Sequence, residues 1–263
     1  MNFTARDLLL LKAIDRYGLV STRQLKYLIF KAINHRTMLR RLRLLEKKRL
    51  IERHSGLPHG KLVWTLGNEG LKRAGSRTKV TINRNSLEHD ALVTSVRIAL
   101  DQAGIGMTWR SSHLLRQQAS EGISPEYRDF DQIPDAMFAI QTKEGIKIVA
   151  LEVEIVAKSK RRYRKILELY QYKDAIDVVW YVVPAPKLGS LILTEATETP
   201  KGYRSHKFHW SALGDLLQNP RSVLLHSISK SQRLSEIWEV KLVIGNSNQE
   251  KATTPLLTQA LTM

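Results

Sequence analysis

Residues 39–53, LRRLRLLEKKRLIER, decide the fold of the first part of the chain. Met38, Leu42 and Leu45 recur at i, i+4 and i+7, a spacing that places them on one face of a helix. This pattern predicts a helix that begins near Asn34 and buries that face against a core. The end of the quoted segment is strand-like, so the helix is expected to lead directly into a strand at residues 50–53.

A row of cations falls on nearly the opposite face of the same helix. It consists of Arg36, Arg40, Arg43 and Lys47. Glu46 is the only carboxylate between Lys31 and Leu50, whereas solvated helices usually mix both signs of charge to gain ion pairs. The row therefore favours contact with DNA over the alternative, an ordinary solvated helix surface.

The surrounding elements are short and helical, apart from one hairpin. Apolar spacing predicts helices at residues 4–17, 22–30 and 68–74, with Gly18 ending the first of them. Residues 50–53 and 61–66 read as two strands around a turn at 55–60. The order is helix, helix, basic helix, hairpin, helix.

Charge is concentrated in this first part of the chain. The 263 residues carry 42 Lys or Arg against 25 Asp or Glu, a net charge of +17. Residues 1–80 hold 19 of the cations and 5 of the acids, while the remainder is nearly neutral with 23 and 20. A compact basic unit beside a neutral one is typical of nucleic-acid binding. The alternative partner, an anionic membrane surface, prefers a basic helix with an aromatic apolar face.

Composition excludes several other classes of protein. With 43% hydrophobic residues the chain can bury a core, and the absence of cysteine excludes disulfide scaffolds, Cys-ligated metals and thiol nucleophiles. The longest apolar runs, such as residues 178–183, are far shorter than the roughly 20 residues that cross a bilayer. The first residues mix charges with apolar groups and do not resemble a signal peptide. We therefore expect a cytoplasmic protein without a membrane partner.

The order of elements in residues 4–75 resembles a winged helix-turn-helix. The resemblance implies that the third helix lies in a DNA major groove with its first residues near base edges. Those residues are Asn34, His35, Arg36, Thr37 and Arg40. The remaining predicted contacts, to phosphates or from the wing, are Arg43, Lys47, His59 and Lys61. Residues 76–86 read as a linker between this domain and the next.

The second part of the chain, residues 87–244, predicts an α/β domain with a mixed central sheet. A helix is expected at 87–104, strands at 107–110, 133–141, 146–156, 177–183 and 204–210, and helices at 159–174 and 212–218. Residues 245–263 are polar and threonine-rich, and we expect a disordered tail or a peptide for a partner.

Three carboxylates in this domain could hold a metal ion. Asp135 follows a proline at the start of one strand, and Glu152 and Glu154 occupy i and i+2 of the next, where they point to one face. Such oxygen donors suit Mg²⁺, which can activate water and stabilise a leaving phosphate oxygen. The alternative is that both glutamates lie on the solvent side of an edge strand, paired with Lys158, Lys160 or Arg161.

This arrangement resembles the PD-(D/E)xK nuclease superfamily, which implies catalytic roles for Asp135 and Glu152. The lysine of this superfamily's motif would fall at position 154, which is Glu154 here. Lys158 would supply the missing positive charge if the chain turned back toward the carboxylates. Glu88 matches a position that often carries an additional metal-binding acid. The basic residues from Lys158 onward would neutralise DNA phosphates or, alternatively, balance nearby acids. The residues at helical spacing among them are expected to pack in the core, namely Tyr163, Ile166, Leu167 and Tyr170.

The segments EHDALVTSVRIAL at 88–100, IPDAMF at 133–138 and ALEVEIVAKSKRRYRKILELY at 150–170, following the first domain, resemble the replication-relaxation family. The resemblance implies an α+β two-domain protein of a plasmid or integrative element, a winged helix-turn-helix followed by a restriction-endonuclease-like domain. It would act on nucleoid or plasmid DNA, binding double-stranded DNA at a replication or transfer origin either as an accessory protein or as an Mg²⁺-dependent nicking enzyme. The alternatives are a transcriptional regulator whose second domain is inactive and serves dimerisation or ligand sensing, and a defence nuclease. A homodimer and other origin-processing proteins are the further partners expected.

Overall fold

In the computed structural model the chain divides into two units, residues 1–97 and 98–263. The structure describes residues 2–76, 79–122, 132–198 and 202–237, without the side chains of 202–204. The division falls within one helix, Leu87–Ala103. The predicted domain limits at residues 75, 86 and 244 stay predictions, and the predicted tail at 245–263 lies outside the described residues.

The first unit combines short helices with a small antiparallel sheet. In chain order its described elements are α1 (Ala5–Tyr17), β1 (Val20–Ser21), α2 (Thr22–Leu28), α3 (His35–Lys47), β2 (Ile51–His54), β3 (Val63–Leu66), α4 (Asn68–Ala74) and the first part of α5 (Leu87–Ala103). The predicted helices and hairpin are confirmed. The sequence does not predict β1, because a two-residue strand has no periodicity.

Side chains at the helix ends fix the limits of α1 and α2. Thr4 and Asp7 form a reciprocal capping box at the start of α1, and Ser21 and Gln24 form another at the start of α2. Gly18 ends α1 with a φ of 79°, a conformation that residues with a side chain rarely adopt. These local signals keep the connection between the two helices short.

The sheet of the first unit has the strand order β1-β3-β2, with β3 paired to both neighbours. Trp64 of β3 pairs with Val20 on one side and Arg53 on the other. The core that these strands share with the helices includes the three predicted residues of α3, and Met38, Leu42 and Leu45 are all 0% exposed. The predicted apolar face of α3 is therefore confirmed.

The second unit is built on one large sheet. Its described elements after α5 are β4 (Met107–Ser111), α6 (Ser112–Ser120), β5 (Ala136–Thr142), β6 (Gly145–Val153), α7 (Lys160–Gln171), β7 (Val178–Val183), α8 (Pro186–Glu198), β8 (Phe208–Ala212), α9 (Leu213–Gln218), β9 (Leu224–His226), β10 (Ser231–Arg233) and α10 (Leu234–Ile237). The strand order is β10-β9-β8-β7-β6-β5-β4.

Strand directions make this sheet mixed, as predicted. The pairs β4–β5 and β5–β6 are antiparallel, whereas β6–β7 and β7–β8 are parallel and are connected by the helices α7 and α8. The short strands β9 and β10 return antiparallel at one edge. The described chain is thus an α+β protein with a seven-stranded mixed sheet.

Several elements differ from the prediction. The helices α6 and α8 were not expected from the sequence, although α8 begins at Pro186, a residue suited to the first turn of a helix. The strand expected at 204–210 begins only at Phe208, because Gly202–Lys207 forms a 3-10 helix. The strand expected at 146–156 ends at Val153, where the chain turns toward α7.

Candidate functional site

The row of cations on α3 lies on the protein surface. Arg36, Arg40, Arg43 and Lys47 are all exposed. Within the described ranges, no carboxylate pairs with any of these four side chains. Glu46, the acid on the same helix, instead lies 3.2 Å from Arg53 Nε of β2. The positive charge of this face is therefore not neutralised by the described part of the protein.

Asn34, at the start of α3, stabilises the end of the helix. Asn34 caps the helix, and its side-chain oxygen accepts a hydrogen bond from the backbone N–H of Arg36 at 2.8 Å. Its amide nitrogen is the group that could still reach a partner. His35 and Thr37, also predicted to approach bases, are exposed in the first turn. The predicted base-reading residues therefore share one exposed helix end.

The predicted wing residues lie in the connection between β2 and β3. His59 and Lys61 are both exposed there. His59 has a φ of 59°, in the left-handed region, inside the 3-10 turn Pro58–Gly60. The turn projects these two side chains from the hairpin.

The carboxylate cluster of the second unit lies where β5 begins and β6 ends. Ala136 pairs with Leu151, so Asp135 and Glu152 are cross-strand neighbours one step further along. The Asp135 side chain accepts a hydrogen bond from the backbone N–H of Val153 at 2.7 Å. On its other side, Glu152 pairs in register with Tyr181 of β7. The structure thus brings two predicted catalytic residues together.

Glu152 is buried and hydrogen-bonded. It is 6% exposed, and its Oε1 accepts hydrogen bonds from the Tyr170 hydroxyl and, at 3.1 Å, from the Gln132 amide. Burial, together with the negative charge of Asp135, raises the pKa of Glu152 to about 8, against the opposing effect of those hydrogen bonds and of Lys158. At neutral pH this side chain is therefore mostly a neutral carboxylic acid.

Glu154 is paired with the lysine that the sequence indicated. Its side chain is 8% exposed and forms an ion pair with the ammonium of Lys158, so the chain does turn back at this point. The Tyr163 hydroxyl accepts a hydrogen bond from the backbone N–H of Lys158 at 3.1 Å. Glu152 lies within the interior strand β6 and Glu154 directly follows it, and both are buried. The expected position on the solvent side of an edge strand is therefore wrong, whereas the expected pairing with Lys158 is confirmed for Glu154.

The sequence does not indicate two side chains of this cluster, Gln132 and Tyr181, and it predicts Tyr170 first as a packing residue. Tyr181 is 2% exposed, and among the described residues its hydroxyl has no hydrogen-bond partner. Burial and the neighbouring charges of Glu152 and Glu154 raise its pKa well above the usual value. The residue becomes recognisable only once the parallel register of β6 and β7 is known.

The fit of Mg²⁺ to this cluster can be judged from the donor atoms. Asp135, Glu152 and Glu154 offer the oxygen ligands that Mg²⁺ prefers, beside the unpaired Tyr181 hydroxyl. In the part of the chain that the structure describes, no three His, Asp or Glu side chains are grouped as a metal site. Binding would require Glu152 to lose its proton and Glu154 to leave Lys158. The fourth predicted ligand, Glu88, lies exposed on α5 within the first unit.

The basic residues of α7 divide into two groups. Lys160 and Arg164 pair with the fully buried Glu195 of α8, at 3.1 and 2.6 Å, and Arg164 also contacts Glu198. They therefore balance acids of α8, and among the α7-side cations that the structure describes it is Lys158 that pairs with the carboxylate cluster. Arg161 and Arg162 are exposed without an ion-pair partner in the described ranges. The expected packing residues of α7 are confirmed as buried, namely Tyr163, Ile166, Leu167 and Tyr170.

These features define an α+β protein with a strongly basic first unit and a buried carboxylate cluster on a mixed sheet. The chain belongs to the replication-relaxation family, whose sequence model matches residues 11–179. Membership indicates a role in the replication or relaxation of plasmids or other mobile elements. Comparison with curated proteins and with solved structures found no match. None of the described helices is both long and apolar enough to cross a membrane.

Proposed function

We propose that this protein binds double-stranded DNA at a replication or transfer origin of a plasmid or integrative element in the bacterial cytoplasm. The observation that carries the proposal is the row of exposed cations on α3, which no described carboxylate neutralises. An unneutralised row of this kind supplies phosphate affinity through counterion release. Family membership supports the choice of an origin as the target.

The first unit would act as a winged helix-turn-helix. In support, α2 and α3 precede an antiparallel hairpin, β2–β3, in the order that this fold requires. Insertion of α3 into a major groove would bring Arg36, Thr37 and Arg40 to base edges and leave Arg43 and Lys47 for phosphates. His59 and Lys61 of the hairpin would contact the flanking backbone.

The proposal is tested by binding and footprinting on the DNA that flanks the protein's own gene. Full-length protein is titrated onto that DNA and onto a control fragment of equal length, in the presence of competitor DNA. We expect a discrete protected site and a preference of at least about tenfold for the flanking DNA. Equal affinity for both fragments, without a footprint, would contradict an origin-specific role.

We further propose that the second unit has a PD-(D/E)xK nuclease-like fold and nicks the bound DNA. The element order α5-β4-β5-β6-α7-β7, with α6 inserted, supports this proposal, and so does the adjacency of Asp135 and Glu152 across β5 and β6. Asp135, Glu152 and Glu154 would hold Mg²⁺, which would activate water and stabilise the leaving oxygen. Arg161 and Arg162 would approach the DNA backbone.

Nicking is tested on a supercoiled plasmid that carries the flanking DNA, with and without Mg²⁺ or Mn²⁺. We expect a metal-dependent nicked product that disappears in Asp135→Ala, while DNA binding by that variant is retained. A plasmid that is bound but stays intact with either metal would contradict nicking and leave the DNA-binding proposal standing.

A second candidate function is a transcriptional regulator whose nuclease-like unit is inactive and serves dimerisation or ligand sensing. The hydrogen bonds from Tyr170 and Gln132 to Glu152 and the ion pair between Lys158 and Glu154 favour it, because they engage the carboxylates within the protein. This candidate predicts an intact plasmid, and repression or activation of a reporter promoter placed beside the binding site.

A further inference from the structure

A cavity of about 610 Å³ lies at the opposite end of the seven-stranded sheet from the carboxylate cluster. The turn between β5 and β6 and the first residues of β7 and β8 line it, together with residues from the β9–β10 edge. Asp135 precedes β5, whereas this turn follows β5. The cavity and the cluster are therefore separated by the length of that seven-residue strand, roughly 20 Å.

Six basic side chains line this cavity, namely Lys143, Lys147, His206, Lys207, His209 and Lys230. Lys207 is 8% exposed, and its ammonium is held by the backbone carbonyl of Lys173 at 2.9 Å. This bond fixes a buried positive charge in the cavity wall. His206 and Lys230 are exposed and reach the cavity from two different segments of the chain.

The surroundings of His209 in the cavity wall determine which ring nitrogen carries the hydrogen and lower the pKa of the ring. Its Nδ1 lies 3.0 Å from the carbonyl oxygen of Lys207, so Nδ1 carries the hydrogen in the neutral ring and Nε2 is left to accept a proton. Burial lowers the pKa of His209, and the positive charges of His206 and Lys230 lower it further. A negatively charged ligand near His209 would reverse this effect.

Four acids line the same cavity, namely Glu144, Asp174, Asp177 and Glu236, and three of them are held by the following contacts. Asp177 accepts a hydrogen bond from the backbone N–H of Ile148 at 2.7 Å, and Glu236 accepts one from the backbone N–H of Arg233 at 3.1 Å. Glu144 lies 3.7 Å from Lys147, a further cation of the lining. Asp174 and Lys143 complete the charged groups of the wall.

We propose that this cavity binds a phosphorylated small molecule of about mononucleotide size, whose phosphate lies against His206, His209 and Lys230. A phosphate would place a negative charge beside these three basic side chains, and it would accept a hydrogen bond from each of them. The volume suits such a ligand, since small-molecule pockets span about 300–1,000 Å³. Ile176 and Val178 provide an apolar wall for the remainder of the molecule.

The test measures binding of AMP, inorganic phosphate and adenosine to the full-length protein by calorimetry. We expect AMP and phosphate to bind, and adenosine to bind at least about tenfold more weakly than AMP. The double variant His206→Ala/Lys230→Ala should lose at least about tenfold in AMP affinity. Lys187→Ala, which removes an exposed lysine outside the cavity, serves as the matched control and should bind as the parent does.

A second readout follows the histidines by NMR as the pH is changed. Bound phosphate should move the titration of His209 to higher pH in the parent protein, and the double variant should not show this effect. The proposal is overturned if neither AMP nor phosphate binds at millimolar concentration, if adenosine binds as well as AMP, or if the double variant, with an unchanged circular dichroism spectrum, binds AMP like the parent.

Discussion

The carboxylate of Asp7 on α1 forms an ion pair with the guanidinium of Arg41 on α3, with Arg41 Nε 2.8 Å from Asp7 Oδ1. Asp7 is 1% exposed. Burial alone would raise its pKa, but the hydrogen bonds from Arg41 and Thr4 outweigh that effect and the pKa is lowered. Arg41 therefore holds α3 against α1, while its neighbour Arg40 remains exposed.

Substitution of Asp7 should destabilise the first unit. Asp7→Ala removes the partner of Arg41 and half of the capping box of α1, and we expect a loss of about 2 kcal/mol in the free energy of unfolding. Because the pKa of Asp7 is lowered from 3.8, this stability is present above that pH and is lost as the pH falls below it. Urea denaturation at neutral and acidic pH measures both effects. Glu69→Ala, which breaks an exposed ion pair with Lys72, is the control and should leave stability unchanged.

Glu152 should make stability depend on pH in the opposite direction. Its pKa is raised from 4.5 to about 8, so the folded protein holds this proton more tightly than the unfolded chain does. Its contribution is fully present below pH 4.5 and is lost as the pH rises toward 8, with a slope of up to about 1.4 kcal/mol per pH unit. Glu152→Gln should flatten this part of the profile. An identical slope in parent and variant would show that Glu152 is ionised in the folded state.

The ion pair between Lys158 and Glu154 should appear as a coupling in a double-mutant cycle. Lys158→Met leaves a buried carboxylate without its cation, and we expect a loss of about 2 kcal/mol. Glu154→Gln on the Lys158→Met background should recover most of that loss, because the uncompensated charge is gone. Chemical denaturation of the four proteins provides the measurement. Strictly additive effects of the two substitutions would show that the pair contributes no coupling.

The elements of the first unit could be predicted because their signals are local. The burial of Met38, Leu42 and Leu45 and the start of α3 near Asn34 follow from helical spacing, and the stop at Gly18 follows from residue type. The role of Arg41 could not be predicted, because its partner Asp7 lies 34 residues away and sequence spacing does not indicate which arginine of the helix turns inward.

The sequence predicts the second unit less completely, because the contacts of its carboxylate cluster join residues on different strands and helices of the unit. The adjacency of Asp135 and Glu152 depends on the antiparallel register of β5 and β6, and the approach of Tyr181 depends on the parallel register of β6 and β7. The pairing of Arg164 with Glu195 depends on α8, which the sequence did not predict. Residue type and spacing single out these acids as candidates, whereas their burial and their partners depend on the fold.

The most direct test of the central claim, that α3 binds DNA, is the salt dependence of DNA affinity. Fluorescence anisotropy on the flanking DNA would compare the parent, Arg40→Ala/Arg43→Ala, and the charge-matched control Lys12→Ala/Lys187→Ala, which alters exposed lysines outside α3. Because Arg40 is proposed to reach a base and Arg43 a phosphate, the first variant should bind more weakly and its slope of log affinity against log salt should be smaller by about 1, while the control matches the parent. A decrease nearer 2 would indicate that both arginines contact phosphates. Unchanged affinity and slope in Arg40→Ala/Arg43→Ala would contradict the assignment of α3 as the DNA-binding helix.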